Sequence, residues 1–199
     1  MHPPRALYIH IPFCAQRCHY CDFNTYALAG QPVDAYLEAL EREMERTVEA
    51  LPPEKIDTVF VGGGTPTVLT PAQMARLLGA VRRWFPVAPD AEITVEANPG
   101  TVGPELLALM REGGVNRISF GVQAFDDALL RRLGRMHDTA DAYRSVALAR
   151  EAGFANISID LMFGLPGQTM DMLADSVRRA VELDLPHYSL YALKIEENT

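Results

Sequence analysis

The chain has 199 residues, 48% of them hydrophobic and 22% charged, with a formal net charge of −8 and a sequence pI near 5.1. That is enough apolar material to bury a good core as one domain, residues 1–199. The acidic balance and the lack of a basic stripe exclude a nucleic-acid partner held by counterion release. No apolar run approaches the roughly 20 residues that span a bilayer, and no export pattern opens the chain, so a reducing, cytoplasmic setting is expected.

The first strand candidate, 7–12, leads straight into Cys14, Cys18 and Cys21, spaced C-x3-C-x2-C, the only cysteines in the sequence. Three thiolates on one short loop suit a [4Fe–4S] cluster, which normally takes four, and leave one iron open to an external ligand. A Cys3His zinc site recruiting His2, His10 or His19 competes with this reading, although zinc loops usually supply two separated ligand pairs. Free structural cysteines compete as well. A disulfide framework is disfavoured by the odd count.

Beyond the loop, Val33, Tyr36, Leu37, Leu40, Met44 and Val48 mark the apolar face of a helix. Leu51-Pro52-Pro53-Glu54 reads as a loop. Strands are expected at 58–61, 92–96, 117–122, 156–162 and 187–192. Most lack strict alternation, as strands buried on both faces do. Between them, Thr70-Pro71-Ala72-Gln73 offers an N-cap, a proline at the first helical position and a capping-box glutamine. Pro104 opens a helix that Gly113-Gly114 closes, Gly153 ends the helix carrying Ala142, Val146 and Ala149, and Thr169 caps the helix carrying Leu173, Val177 and Val181. The paired arginines 82–83, 131–132 and 178–179 read as solvated helix faces, and the methionines as core filling.

Six strands alternating with at least five helices form a βα repeat with a parallel sheet. The pattern alone fits a doubly wound sheet or a barrel. Polar residues stand out at strand ends. Gly62-Gly63-Gly64-Thr65 follows the second strand, where glycine permits positive φ and close backbone approach; its spacing matches no phosphate-binding loop. Glu96 and Asp160 lie in apolar strands, where an ionised carboxylate is costly unless paired; a structural salt bridge or a binding role explains either. Tyr8 alone reads as a core tyrosine, His10 as a satisfied strand histidine and Arg135 as a surface arginine. His19 and His137 carry no argument of their own.

Tyr8-Ile9-His10-Ile11-Pro12-Phe13-Cys14 and Cys18-His19-Tyr20-Cys21-Asp22-Phe23-Asn24 resemble the radical S-adenosylmethionine (SAM) superfamily, and within it the oxygen-independent coproporphyrinogen III oxidase group. Further landmarks follow in order at residues 62–66, 95–99, 119–123 and 159–167, covering nearly the whole chain. The resemblance implies an α/β fold, a partial (β/α)6 TIM-like barrel, with ligands at the carboxyl ends of its strands. It implies a [4Fe–4S] cluster on Cys14, Cys18 and Cys21, and SAM chelating the fourth iron through its amino and carboxylate groups. Reduction would then cleave the sulfonium to a 5′-deoxyadenosyl radical. The SAM-contacting positions it implies are Tyr8, Tyr20, Gly63, Gly64, Thr65, Glu96, Gln123, Arg135, Asp160 and Ala192.

The oxidase of this group carries one more cysteine two positions after the third, where this chain has Phe23. That departure resembles the oxidase-like haem-chaperone branch, which keeps cluster and SAM site but binds and delivers haem. Two classes of function therefore stand: a haem-trafficking protein with a haem-acceptor partner, and an enzyme oxidising coproporphyrinogen III. Either needs a reductant such as flavodoxin or ferredoxin. The related family continues past residue 199 into a smaller C-terminal region, so this chain reads as the superfamily's core, with exposed apolar surface expected near its end.

Overall fold

The computed structural model describes residues 3–195; His2 and the segment 196–199 lie outside the described residues. In chain order it contains β1 (Ala6–Ile11), β2 (Phe13–Cys14), β3 (Tyr26–Ala27), α1 (Val33–Ala50), β4 (Ile56–Gly63), a 3-10 turn (Pro66–Val68), α2 (Pro71–Trp84) and β5 (Val87–Ala97). There follow α3 (Pro104–Glu112), β6 (Arg117–Gln123), α4 (Asp127–Arg132), α5 (Thr139–Glu151), β7 (Asn156–Phe163), α6 (Met170–Glu182) and β8 (His187–Ala192).

Six strands form one sheet in the order β1-β4-β5-β6-β7-β8, all pairs parallel. That order decides between the two architectures the pattern leaves open. A doubly wound sheet reverses direction at a switch point, whereas here each new strand is added on the same side. Right-handed crossovers then put every helix on one face and curl the sheet. The two edge strands, β1 and β8, are not paired with each other. The result is an open arc of six parallel strands joined by five helical crossovers, the expected partial barrel.

Local signals hold as the sequence implies. Thr70 and Gln73 form a reciprocal capping box at α2 with Pro71 at its first position. Asp138 and Asp141 do the same at α5, and Thr169 caps α6. Gly114 and Gly153, after α3 and α5, take φ of +85° and +86°, a region that disfavours residues with a Cβ. The main core joins the sheet to α1–α3, α5 and α6, centred on residues such as Phe120, Ile118, Ile157 and Met110. A second, smaller cluster, Ala124, Leu129, Leu130, Leu133, Met162 and Leu165, sits under α4 and touches Tyr20.

Several expectations are corrected. β5 begins five residues early, at Val87, and runs through Pro89; only Val87 pairs with β4 there, so the proline's missing donor costs the ladder nothing. Helix α6 buries Ser176 and Ala180 rather than the stripe through Val181, which is 62% exposed. Met136 and Met170 are also exposed rather than core filling. With Leu190 and Ile195, Val181 forms apolar surface near the end of the described chain.

Candidate functional site

The cysteine loop is tied down at both ends. At its base β2 pairs in parallel with β3, and the amides of Tyr26 and Leu28 donate to the carbonyls of Pro12 and Cys14 at 2.7 and 2.8 Å. At its crown the loop rests on the carboxyl end of α4. His19 donates its backbone N–H to Leu133 O at 3.0 Å and Nδ1–H to Arg132 O at 3.0 Å. Gln16 donates from Nε2 to Gly134 O at 3.1 Å. A helix of this hand ends with unpaired carbonyls, and the loop supplies their donors.

The glycine turn after β4 is sewn to the same loop. Gly64 and Thr65 donate their amides to Ile11 O and Phe13 O, both at 2.8 Å. A Cβ on Gly64 would lie 2.6 Å from Phe13 O and 2.9 Å from Ile11 O, so only glycine allows this approach. Gly63, at φ +110°, turns its N–H onto Glu96 Oε2 at 3.0 Å.

These pieces frame one cavity of about 400 Å3 at the carboxyl ends of the strands, within the size range of small-molecule sites. The loop contributes Cys14, Cys18, Cys21, Tyr20 and Phe23, and the turn contributes Gly63, Gly64 and Thr65. Glu96, Gln123, Asp160 and Arg135 complete the sequence-predicted set around it. Tyr8 and Ala192 are not among the lining residues. Tyr8 is 57% exposed, not a core residue; it stacks on Phe60 with ring centroids 6.2 Å apart and donates to His10 Nδ1 at 3.0 Å. His10 is satisfied, since its Nε2 donates to Asn24 O at 2.9 Å.

Arg135 is no surface arginine. Gly134 takes φ +72° just beyond α4 and turns the chain so that the guanidinium enters the cavity wall. There it donates to Cys18 Sγ at 3.4 Å, to Asn98 Oδ1 at 2.6 Å and to Gly121 O at 2.5 Å. Its Nε is buried without a partner. Burial opposes its charge, but neighbouring Tyr20 and Cys18 hold its pKa above the usual value. Burial pushes the Cys14 thiol up, with Thr65 pulling the other way. Glu96 is likewise raised by burial, against the Gly63 amide and with Asp160 adding to the rise. Asp160 is raised by burial and eased by Ser189 and Ser119.

Sequence reasoning missed Asn98, Ser119, Ser189 and Tyr191, all of which line the cavity. The signal was strand periodicity: residues two apart share a face, so Glu96 points to Asn98 and Gln123 to Gly121 and Ser119. The pairing of Asp160 with Ser189 extends the same inward face across the sheet. Among the described residues no three His, Cys, Asp or Glu side chains come close enough to hold a single metal ion.

Residues 8–180 match the radical SAM superfamily model. The chain belongs to the radical SAM superfamily. It is 50% identical to the protein named "Heme chaperone HemW" of Bacillus subtilis (strain 168), over 98% of this chain and 52% of that protein. It is 46% identical to the Escherichia coli (strain K12) protein of the same name, over 99% of this chain and 52% of that one. The solved structure of coproporphyrinogen III oxidase (HemN) from Escherichia coli, described as a radical SAM enzyme, superposes with a TM-score of 0.90 at 36% identity. It matches 97% of this chain and 45% of that chain. The chain thus spans about half the length of the relatives it matches. The radical SAM assignment and the likeness to both branches of the oxidase-like group are borne out, and no helix among the described residues is long and apolar enough to cross a membrane.

Proposed function

We propose that this radical SAM chain is the cluster- and SAM-binding core of a protein that binds and delivers haem in the cytoplasm. The observation that carries the cofactor reading is the shared cavity: three thiols, a glycine turn, two half-buried carboxylates and one arginine face a single space. The donor set fits the group. Each thiolate of a cube takes its own iron, so sulfurs that share a mouth without meeting at one ion position suit a [4Fe–4S] cluster on Cys14, Cys18 and Cys21 better than mononuclear zinc. For SAM, the unpartnered Arg135 Nε suits a carboxylate, and the raised carboxylates of Glu96 and Asp160 suit an ammonium or ribose hydroxyls.

Held there by Cys14, Cys18 and Cys21, a reduced cluster would supply one electron to bound SAM and so open radical chemistry at carbon. This chain's own residues do simpler work. Gly63, Gly64 and Thr65 give a backbone surface that a ligand can approach closely. Arg135 and Tyr20 close the wall beside Cys18. Gln123 adds an amide at the rim. None of them need act as a general acid or base.

The haem-chaperone reading rests on Phe23 together with the named relatives. Phe23 occupies the position at which the oxidase group carries a fourth nearby cysteine, and its ring lines the cavity while 66% exposed. An apolar ring there replaces a polarizable thiol with a flat surface for a tetrapyrrole. The likeness to the coproporphyrinogen III oxidase structure supports the second reading, hydrogen abstraction from a porphyrinogen side chain. Anaerobic reconstitution of the full-length protein, with iron, sulfide and 5′-deoxyadenosine measured, tests the shared core. Haem binding at one per chain without consumption of coproporphyrinogen III supports the chaperone; turnover of coproporphyrinogen III supports the oxidase. A flavodoxin or ferredoxin as reductant and a haem-acceptor protein belong to the same proposal.

A further inference from the structure

Two of the three thiols are joined by a continuous chain of hydrogen bonds whose centre is a residue with no assigned role. Arg135 donates to Cys18 Sγ at 3.4 Å and to Asn98 Oδ1 at 2.6 Å. Asn98 donates from Nδ2 to Thr65 Oγ1 at 2.8 Å. Thr65 donates from Oγ1 to Cys14 Sγ at 3.6 Å, a distance normal for a sulfur acceptor. The chain therefore runs from Cys18 to Cys14 through three side chains held by three different loops.

The direction of every proton in it follows from one fact. Guanidinium has donors and no acceptor and is never deprotonated in proteins. The Asn98 atom facing Arg135 must then be the carbonyl oxygen, and the atom facing Thr65 must be the amide nitrogen, which can only donate. Thr65 Oγ1 consequently accepts from Asn98, and its own proton is left for the sulfur of Cys14. Asn98 touches neither thiol, yet it orients the Thr65 proton towards Cys14 and anchors the guanidinium that faces Cys18. Thr65 is almost fully buried at 1% exposure, so water does not compete for that hydroxyl.

We infer that Asn98 is a positioning residue that fixes two N–H and O–H donors on the sulfurs of Cys18 and Cys14, and so sets the reduction potential of the metal centre. The inference rests on the cluster reading above. Donors to ligand sulfur stabilise the extra negative charge of the reduced state and raise the potential. Asn98→Ala frees the Thr65 hydroxyl to turn away from Cys14 and leaves Arg135 one anchor fewer. Asn98→Asp, of the same shape, accepts from Thr65 as well as from Arg135 and draws the hydroxyl proton off the sulfur.

The test is a redox titration of the reconstituted full-length protein without SAM, followed by the optical or EPR signal of the cluster. Asn98→Ala and Thr65→Val are expected each to weaken the reduced state about tenfold, a fall of about 59 mV for one electron. Their double variant should fall by less than the sum of the two single variants, because both act on the Thr65–Cys14 bond, giving non-additivity. Thr65→Ser, which keeps the hydroxyl, should retain the wild-type potential. Should Asn98→Ala not fold, Asn98→Asp reads the same bond. A wild-type cluster with a potential shared by Asn98→Ala and Asn98→Asp overturns the relay while leaving the cluster reading intact. A wild-type protein that takes up no iron or sulfide overturns both.

Discussion

Tyr191 of β8 donates its hydroxyl to Gln123 Oε1, at the end of β6, at 2.8 Å, spanning the intervening strand β7. Gln123 is one of two non-glycine residues among those described with positive φ, at 69°, and the sheet register shifts between Phe120 and Gln123. A left-handed residue with a Cβ costs about 1–2 kcal/mol and persists where its surroundings over-determine it. Burial first, and then the charge of Asp160, push Tyr191 up to about 12, so its hydroxyl stays a donor at any ordinary pH.

That bond gives a two-residue test. Tyr191→Phe is expected to lower unfolding stability by about 1 kcal/mol, the usual worth of one such hydrogen bond. In a Gln123→Gly background, where the strain and the acceptor are both gone, the same substitution should change stability little. Urea midpoints of the four proteins give the coupling directly.

Gly64→Ala should be costly although it adds a single methyl. The new Cβ would press on Phe13 O and Ile11 O, and both carbonyls are fixed by the turn's own amides. Overpacking of this kind costs about 1–3 kcal/mol. Gly153→Ala, in open space but at φ +86°, is the control: a conformational cost with no collision. Loss of iron uptake by Gly64→Ala alone would separate a displaced loop from general destabilisation.

His137 makes stability depend on pH. Burial, then the neighbouring charge of Arg135, lower its pKa from 6.5 to about 4, while the Val122 carbonyl, Asp141 and Asp138 work against the shift. A depressed histidine binds protons more readily when unfolded. Its contribution is therefore complete above pH 6.5 and lost as pH falls towards 4. Between pH 7 and pH 5 the wild type should lose about 2 kcal/mol through this residue, and His137→Gln should lose less. Glu96 and Asp160, raised by burial, contribute with the opposite sign, so the difference between wild type and variant is the quantity to read.

The docking of the cysteine loop on α4 is also open to measurement. His19→Ala removes the Nδ1 bond to Arg132 O and leaves the backbone bond to Leu133 O. The loss of about 1 kcal/mol should speed amide exchange of residues 14–21 about fivefold, with the sheet unchanged. Equal acceleration throughout the chain would show that the anchor is global instead of local.

Much of this architecture was legible in the sequence, for reasons that differ by element. Capping residues such as Thr70 with Gln73 act within one helical turn, so they can be read without knowing the fold. α4 was read only through Arg131 and Arg132 as a helix face, without bounds, because six residues carry too little periodicity and its buried Leu129 and Leu130 pack on a cluster assembled from distant segments. The parallel pairing of β2 with β3 is two residues long and exists only because the loop returns on itself. Within the site, the cysteines and glycines were visible through their chemistry. Asn98, Ser119 and Ser189 were not, since small polar residues in strands have many ordinary uses, and their common orientation emerges only once the register is known. Arg135 was placed by family likeness alone; the left-handed Gly134 that aims it gave no separate sign.

The anchors of the cysteine loop are amides, carbonyls and one imidazole, all belonging to the polypeptide itself. If the proposed cluster is bound, assembly of the scaffold and insertion of the inorganic centre are then expected to be separable events, unlike in a zinc finger, where the metal does the folding. On the cluster reading, a centre lost to oxygen could then be restored to a frame that has kept its shape, without a new chain being synthesised.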